Sequence, residues 1–155
     1  MKTNTINDIA SYLTFKLGAG LYAIPVLKVL NIVEMSSVTS LHDNNLIIGM
    51  VNLRGVPVPV TDVRLKFGMG QVGYSDKSCL LIVEILNIFE KLIVGIIIDA
   101  LQEVTEIKRN EITDSAYPVC GVFRKNKYVS INIIDQDVLF NEAEISILKK
   151  LIKSK

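Results

Sequence analysis

Histidine is almost absent from this 155-residue chain, with His42 the single imidazole. A zinc site needs about four nitrogen, sulfur or oxygen ligands, and beside His42 only Asp43 offers one in sequence. A nucleophilic triad built from His42 with Cys79 or Cys120 would need a thiol in an electropositive, exposed setting. Both cysteines instead sit alone in apolar segments, where the expectation is a buried, reduced thiol with no disulfide. Aromatics are sparse at 6%, and 17 basic residues balance 16 acidic ones. No basic stripe is interleaved with aromatics, so nucleic acid is not an expected partner.

Other absences narrow the field further. The longest apolar run, Leu92 to Ile98, falls far short of the roughly 20 residues of a transmembrane helix. Met1 to Ser11 is polar and lacks the basic-then-apolar order of a signal peptide. The expectation is therefore a cytoplasmic chain without direct membrane insertion. Gly18-Ala19-Gly20 and Gly68-Met69-Gly70 lack the third glycine and following helix of a phosphate-cradling loop. Asp62, Asp99 and Glu103 fall at strand ends, where turn and capping roles outweigh acid–base work in the absence of a cleft.

What is present reads as mostly strand. Half of the residues are hydrophobic, ample for a core, and a chain this long buries about 70% of its unfolded surface. Apolar alternation and β-branched runs predict strands over 12–17, 21–25, 31–35, 47–53, 56–61, 79–86, 92–98, 103–107 and 128–133. Turn signals separate them at Gly18-Ala19-Gly20, His42 to Asn45, Gly68-Met69-Gly70, Asn87 to Lys91 and Arg124 to Lys127. Many short strands with polar turns argue a barrel or sandwich. Phe15, Ile24, Val51, Leu53, Val58, Ile82, Ile96, Ile98 and Ile131 are the expected core. The C-terminus departs from the pattern. Asn141 and Glu144 form a capping-box pair, Ile145, Leu148, Leu151 and Ile152 recur at helical spacing, and lysines crowd the far end. A helix over about 141–153 follows.

The central stretch Gly49 to Phe67 carries most of the information. Two apolar arms meet at Arg54-Gly55, and Gly55 can take a positive φ at a tight turn. That places Arg54 on a hairpin tip, outside the apolar face. Pro57 and Pro59 share parity, so both nitrogens face the same lateral edge and neither can donate a hydrogen bond. The second arm should therefore be an edge strand or a barrel seam, either protected against aggregation or open to a partner.

The string Gly49, Asn52, Leu53, Arg54, Gly55, Pro59, Asp62, Arg64, Lys66 and Phe67 resembles, in register, the signature G-V-x-N-L-R-G-x-x-x-P-x-x-D-L-R-x-K-F of the CheW-like family, the chemotaxis coupling proteins. Tyr12 to Gly18 with Tyr22 to Val29 is similar to the family's opening strand pair, and Gly95 to Val104 to its G-[IL]-[IV]-V-D-x-V-x-[DE]-V segment. The likeness covers about residues 11–140. It implies a mainly β fold of two SH3-like, five-stranded barrel lobes packed together, plus the C-terminal helix. Lobe one would span about 17–73, and lobe two about 11–16 with 79–138, all within one CheW-like domain over 1–155.

The resemblance also implies a function. The family consists of non-catalytic adaptors with no cofactor. They couple the cytoplasmic tip of chemoreceptors to the regulatory domain of a CheA-type histidine kinase, and reach membrane receptor arrays through protein contacts. Transferred residue by residue, Arg54 is the candidate partner contact, with Asn52 and Val56 beside it on the hairpin. Val29 aligns with an apolar position of the coupling surface. Asn31 stands where the family usually has glutamate, and the compact segment 112–128 replaces a longer excursion. His42 to Leu46 lacks the family's usual turn proline. A divergent adaptor of another signalling or motility array, or a small ligand-binding barrel, are the alternative readings. The purified chain is expected to hold no stoichiometric zinc and to take no label from ATP without a kinase. Zinc in a metal assay, or such labelling, would overturn the non-catalytic expectation.

Overall fold

A computed structural model of the chain describes residues 8–40, 46–70, 73–87 and 90–153. The turn expected around His42, the tip of the 79–98 hairpin at 88–89, and Lys155 lie outside the described residues. Two antiparallel-rich sheets of six strands each pack as two lobes, followed by one helix. The first sheet has the order β10 (Ile112–Asp114), β11 (Gly121–Arg124), β12 (Ser130–Ile133), β2 (Gly20–Pro25), β1 (Ile9–Leu17) and β9 (Ala100–Lys108). The second runs β3 (Val29–Glu34), β7 (Cys79–Asn87), β8 (Glu90–Ile98), β6 (Val56–Thr61), β5 (Ile47–Leu53) and β4 (Thr39–Ser40). The mainly β, two-lobed architecture agrees with the sequence expectation, but each sheet has six strands rather than five.

The allotment of strands to lobes also differs from expectation. β2 leaves the 17–73 segment and joins β1, while β7 and β8 leave the 79–138 segment and sit between β3 and β6. Their side chains give the reason. Leu81, Val83 and Ile85 on β7, with Val94, Ile96 and Ile98 on β8, face a central core shared with Phe15, Leu17, Tyr22 and Ile24 of the other sheet. The alternate residues Leu80, Ile82 and Ile97 face Val51, Val58 and Val60 inside their own lobe. A strand apolar on both faces must be covered on both, and only an internal position in one sheet, packed against the other sheet, supplies two covers. The first lobe keeps a smaller core of its own, Ala23, Ile107, Ile131 and Ile133.

The helix α1 (Glu142–Lys153) begins as its sequence predicts. Asn141 Oδ1 accepts the Glu144 amide at 2.9 Å, and Glu144 Oε1 accepts the Asn141 amide at 2.9 Å, the reciprocal capping box. Ile145 and Leu148 are buried in the central core, with Leu151 and Ile152 packed against it. Of the expected core, Leu53 is half-buried, because it closes the β5–β6 hairpin opposite Val56 at the rim; the others are buried.

β6 is a seam. In the two-residue hairpin the Asn52↔Pro57 and Met50↔Pro59 pairs are the non-hydrogen-bonded ones, so both proline nitrogens face away from β5. On that far side β8 pairs in parallel only from Val60 onward, beyond both prolines. Short β10 and β11 were not expected, nor was two-residue β4.

Ile96→Ala should destabilise the chain by roughly 2–5 kcal/mol, the cost of a core cavity. Urea unfolding of both proteins checks this, with a changed midpoint at an unchanged slope.

Candidate functional site

The central signature string resolves into structural and exposed parts. Gly49 lies against β4, where an added Cβ would stand 2.5 Å from the Thr39 carbonyl oxygen, so no larger residue fits. Asn52 Oδ1 accepts the Gly55 amide at 2.7 Å and braces the turn. Gly55 has φ 85°, and Arg54 has φ 53°. Positive φ at both central residues is what a type I′ turn requires to match the twist of its strands. Arg54 is the one non-glycine residue with positive φ among the described residues. An arginine in this left-handed region carries a conformational cost, since its Cβ crowds the backbone there.

The second half of the string turns inward. Asp62 and Arg64 are 1% and 3% exposed, and the guanidinium grips the carboxylate with both arms: Nε donates to Oδ1 at 3.0 Å and Nη2 to Oδ2 at 2.7 Å. The Tyr74 hydroxyl donates to the same Oδ2 at 3.0 Å, and its ring lies 4.9 Å from the guanidinium carbon. Arg64 Nη1 also stands 3.8 Å from Asp99 Oδ1, and Asp99 Oδ2 accepts the Gly18 amide at 2.6 Å. Burial alone would push the Asp62 carboxyl up, but the hydrogen bonds and charge of Arg64, with the Tyr74 hydroxyl, hold it below its ordinary value. Arg64 is in turn held above its ordinary value, chiefly by its bond to Asp62. Lys66 pairs with Glu144 of the capping box and lies over the rings of Tyr117 and Phe140. Phe67 meets Tyr22 edge-on at 4.9 Å. Turn and pairing roles, not acid–base chemistry, therefore occupy Asp62 and Asp99. Glu103 is exposed and pairs with Lys125 at 3.0 Å.

Arg54, Asn52 and Val56 come together as an exposed hairpin tip, with Val56 48% exposed. No hydrogen bond or ion pair holds the Arg54 side chain among the described residues, and Asp62, its one plausible internal partner, is taken by Arg64. Val29 and Asn31 lie elsewhere, on β3, which β7 and β8 separate from β6 in the strand order. Val29 is half-buried and packs against the central core, so it offers little surface. Asn31 is exposed beside a register shift in the β3–β7 ladder, and its Oδ1 accepts the Ile32 amide at 2.8 Å. The exposed apolar side chains of this region are Leu27, Leu30 and Ile32, which the sequence reading did not single out. Part of their signal was present: on the edge strand β3 Val29 and Val33 of one parity pack on the cores while Leu30 and Ile32 hold the other, and Leu27 lies in the 3-10 turn before the strand. Cys120 is exposed rather than buried, since it precedes β11 at the lobe's end; Cys79 is half-buried, and both thiols are free. His42 lies outside the described residues. Among the described residues no group of His, Cys, Asp or Glu could hold a metal ion, and no helix is long and apolar enough to cross a membrane.

Three comparisons bear on this geometry. The sequence profile of the CheW-like domain matches residues 11–144. A chemotaxis protein CheW of Klebsiella aerogenes is 29% identical over 153 residues, covering 92% of this chain and 89% of that protein. A chemotaxis protein CheW of Helicobacter pylori is 32% identical over 106 residues, covering 68% of this chain and 62% of that protein. The crystal structure of the scaffolding protein TtCheW from Thermoanaerobacter tengcongensis superimposes with a TM-score of 0.75 at 30% identity, over 91% of this chain and 94% of that one.

Breaking the buried pair by Arg64→Ala should cost about 3–5 kcal/mol, because a buried carboxylate is left uncompensated. The Asp62 carboxyl is depressed in the fold, so its contribution is complete above the unfolded value of about 3.9 and is lost as pH falls through the lower folded value. Denaturant midpoints measured from pH 7 down to acid should show the variant and the parent converging at low pH.

Proposed function

Because this chain belongs to the CheW-like domain family, we propose that it is a non-catalytic chemotaxis adaptor, coupling the cytoplasmic tips of chemoreceptors to the regulatory domain of a CheA-type histidine kinase. The relatives are named as chemotaxis and scaffolding proteins, and the reading extends that role to this chain. It places the chain in the cytoplasm, at receptor arrays through protein contacts.

One observation carries the reading. Nearly every residue of the signature string has work inside the fold: Gly49 admits β4, Asn52 and Gly55 make the turn, Asp62 and Arg64 pair, Lys66 holds the helix, and Phe67 packs on Tyr22. Arg54 has none. It is exposed, unpaired among the described residues, and held at a φ that its side chain disfavours. The turn needs the left-handed backbone but not an arginine to hold it, and an arginine kept there without an internal partner points to an outside one. A guanidinium fork suits that task, since it binds carboxylate groups bidentately. The proline seam adds room beside it. Next to Val56 and Pro57 a cleft of about 180 Å³ opens, lined also by Leu92, Ile93 and Ile152. Leu30 and Ile32 on the β3 edge offer a second apolar surface, with Asn31 between them.

Arg54→Asn separates the two demands. Asn-Gly is the preferred type I′ pair, so stability should rise by up to about 1 kcal/mol, while affinity for the kinase regulatory domain or receptor tip falls by about 1–3 kcal/mol. Arg54→Ala should stay within about 0.5 kcal/mol of the parent in stability with the same loss of affinity. Thermal unfolding and titration calorimetry on the same samples measure both. Intact binding with lost stability would sink the coupling role of Arg54.

A further inference from the structure

The proline pair of β6 interrupts a ladder at a definite point. β8 pairs with β7 from Glu90 to Ile98 without a register shift, but with β6 only at Val60↔Gly95 and Thr61↔Ile96. In a parallel ladder the residue opposite Val60 bonds to its two neighbours, so Gly95 sits between the Pro59 carbonyl and the Thr61 amide and turns its backbone to β6. The Pro59 oxygen accordingly lies 3.6 Å from where a Cβ on Gly95 would stand. By the alternation of an extended strand, Ile93 and Lys91 turn the same way as Gly95. The next two rungs would need the Pro59 nitrogen to donate to the Ile93 carbonyl and the Pro57 nitrogen to donate to the Lys91 carbonyl. Neither nitrogen carries a hydrogen. The strands part there into a wedge of about 180 Å³, with Val56 and Pro57 on one side, Leu92 and Ile93 on the other, and Ile152 of α1 completing the lining.

Three features of the wedge describe its occupant. It is smaller than the roughly 300–1,000 Å³ of small-molecule pockets, too tight for a cofactor-sized ligand. The Lys91 and Ile93 carbonyls stand about 7 Å apart along β8, the repeat at which an extended backbone presents its own amides. Strand-edge groups left open in this way are a template for an added strand. The charge at the mouth is positive. Glu90 is paired with Lys149 at 2.8 Å, whereas exposed Lys91 has no ion pair among the described residues.

We propose that the wedge takes an extended segment of a partner protein, with alternating apolar and acidic side chains, as an added strand on β8. Amides of one parity donate to the Lys91 and Ile93 carbonyls. An apolar side chain enters between Val56 and Ile152, and a carboxylate pairs with Lys91. A basic segment would bring like charge to Lys91. The proposal rests on the adaptor reading in taking a protein as occupant, and adds the chemistry of the segment.

The probe is the blocked peptide acetyl-Glu-Val-Glu-Val-Glu-amide, titrated into the isotope-labelled full chain and followed by backbone amide shifts. Saturable shifts are expected at Val56 and from Lys91 to Ile93. The lysine counterpart, acetyl-Lys-Val-Lys-Val-Lys-amide, should bind about tenfold more weakly. N-methylation of the peptide amides of one parity should weaken binding on the order of tenfold, the loss of two backbone hydrogen bonds, and of the other parity far less. Lys91→Glu should reverse the preference between the two peptides at unchanged thermal stability. Pro57→Val combined with Pro59→Val restores both donors. In that double variant the two new amides should be protected from hydrogen exchange, and peptide binding should be lost with the fold intact.

No saturable binding of the acidic peptide, equal binding of the two peptides, or equal loss from both N-methylated forms would overturn the proposal. So would binding that persists in the double variant once its new amides are protected; if they exchange freely, the Lys91→Glu and N-methyl results decide. Concentration-dependent dimerisation that produces the same shifts without peptide would assign the wedge to a second copy and overturn the partner occupant. The coupling role is read separately, on the kinase regulatory domain and the receptor tip. Affinity for them lost in Arg54→Ala but kept in the double proline variant would sink the wedge alone. Peptide binding by a chain that takes neither domain would keep the wedge and sink the coupling reading.

Discussion

The ion pair between Asp62 and Arg64 is the constraint around which the two lobes are arranged. It sits where β6 ends, and Arg64 reaches Asp99 at the junction of β8 and β9. Asp99 in turn accepts from Gly18 at the β1–β2 turn, and its amide donates to the Lys16 carbonyl. One guanidinium is therefore linked to both sheets, to the second directly and to the first through Asp99. Taking two charges out of water costs several kcal/mol each, and only a fully bonded geometry offsets that. Here the fork geometry, the Tyr74 hydroxyl and the Asp99 carboxylate together supply it.

A sequence signature need not be a functional site. In this chain the signature string is mostly the grammar of one supersecondary unit: a tight hairpin, a seam strand, a buried pair, and a lysine that clamps a distant helix. Its exposed tip is a small remainder of that string. Distinguishing the two required the structure, because Arg54 and Arg64 are the same residue type ten positions apart with opposite fates.

How far the sequence could be read follows from how local each signal is. The bounds of β5 and β6 were legible because alternation and a glycine turn are neighbours in sequence. So was the helix, whose cap lies within one turn of its apolar stripe. The placement of β7 and β8 was not. A run apolar on both faces announces burial but not which neighbours provide it, and both lobes needed covering. β10 and β11, at three and four residues, were too short to show a period. In the site, the exposure of Arg54 was legible from the tight turn at Gly55. Its left-handed backbone was not, since Arg-Gly is no standard marker of a type I′ turn.

The β7–β8 hairpin is a party wall. One of its faces closes the interior of its own lobe and the other closes the space between the lobes. Losing it would strip apolar cover from both rooms, so the stability of each half is tied to the other. A connector built this way passes on position and orientation as a single rigid piece, whatever is attached to its two sides.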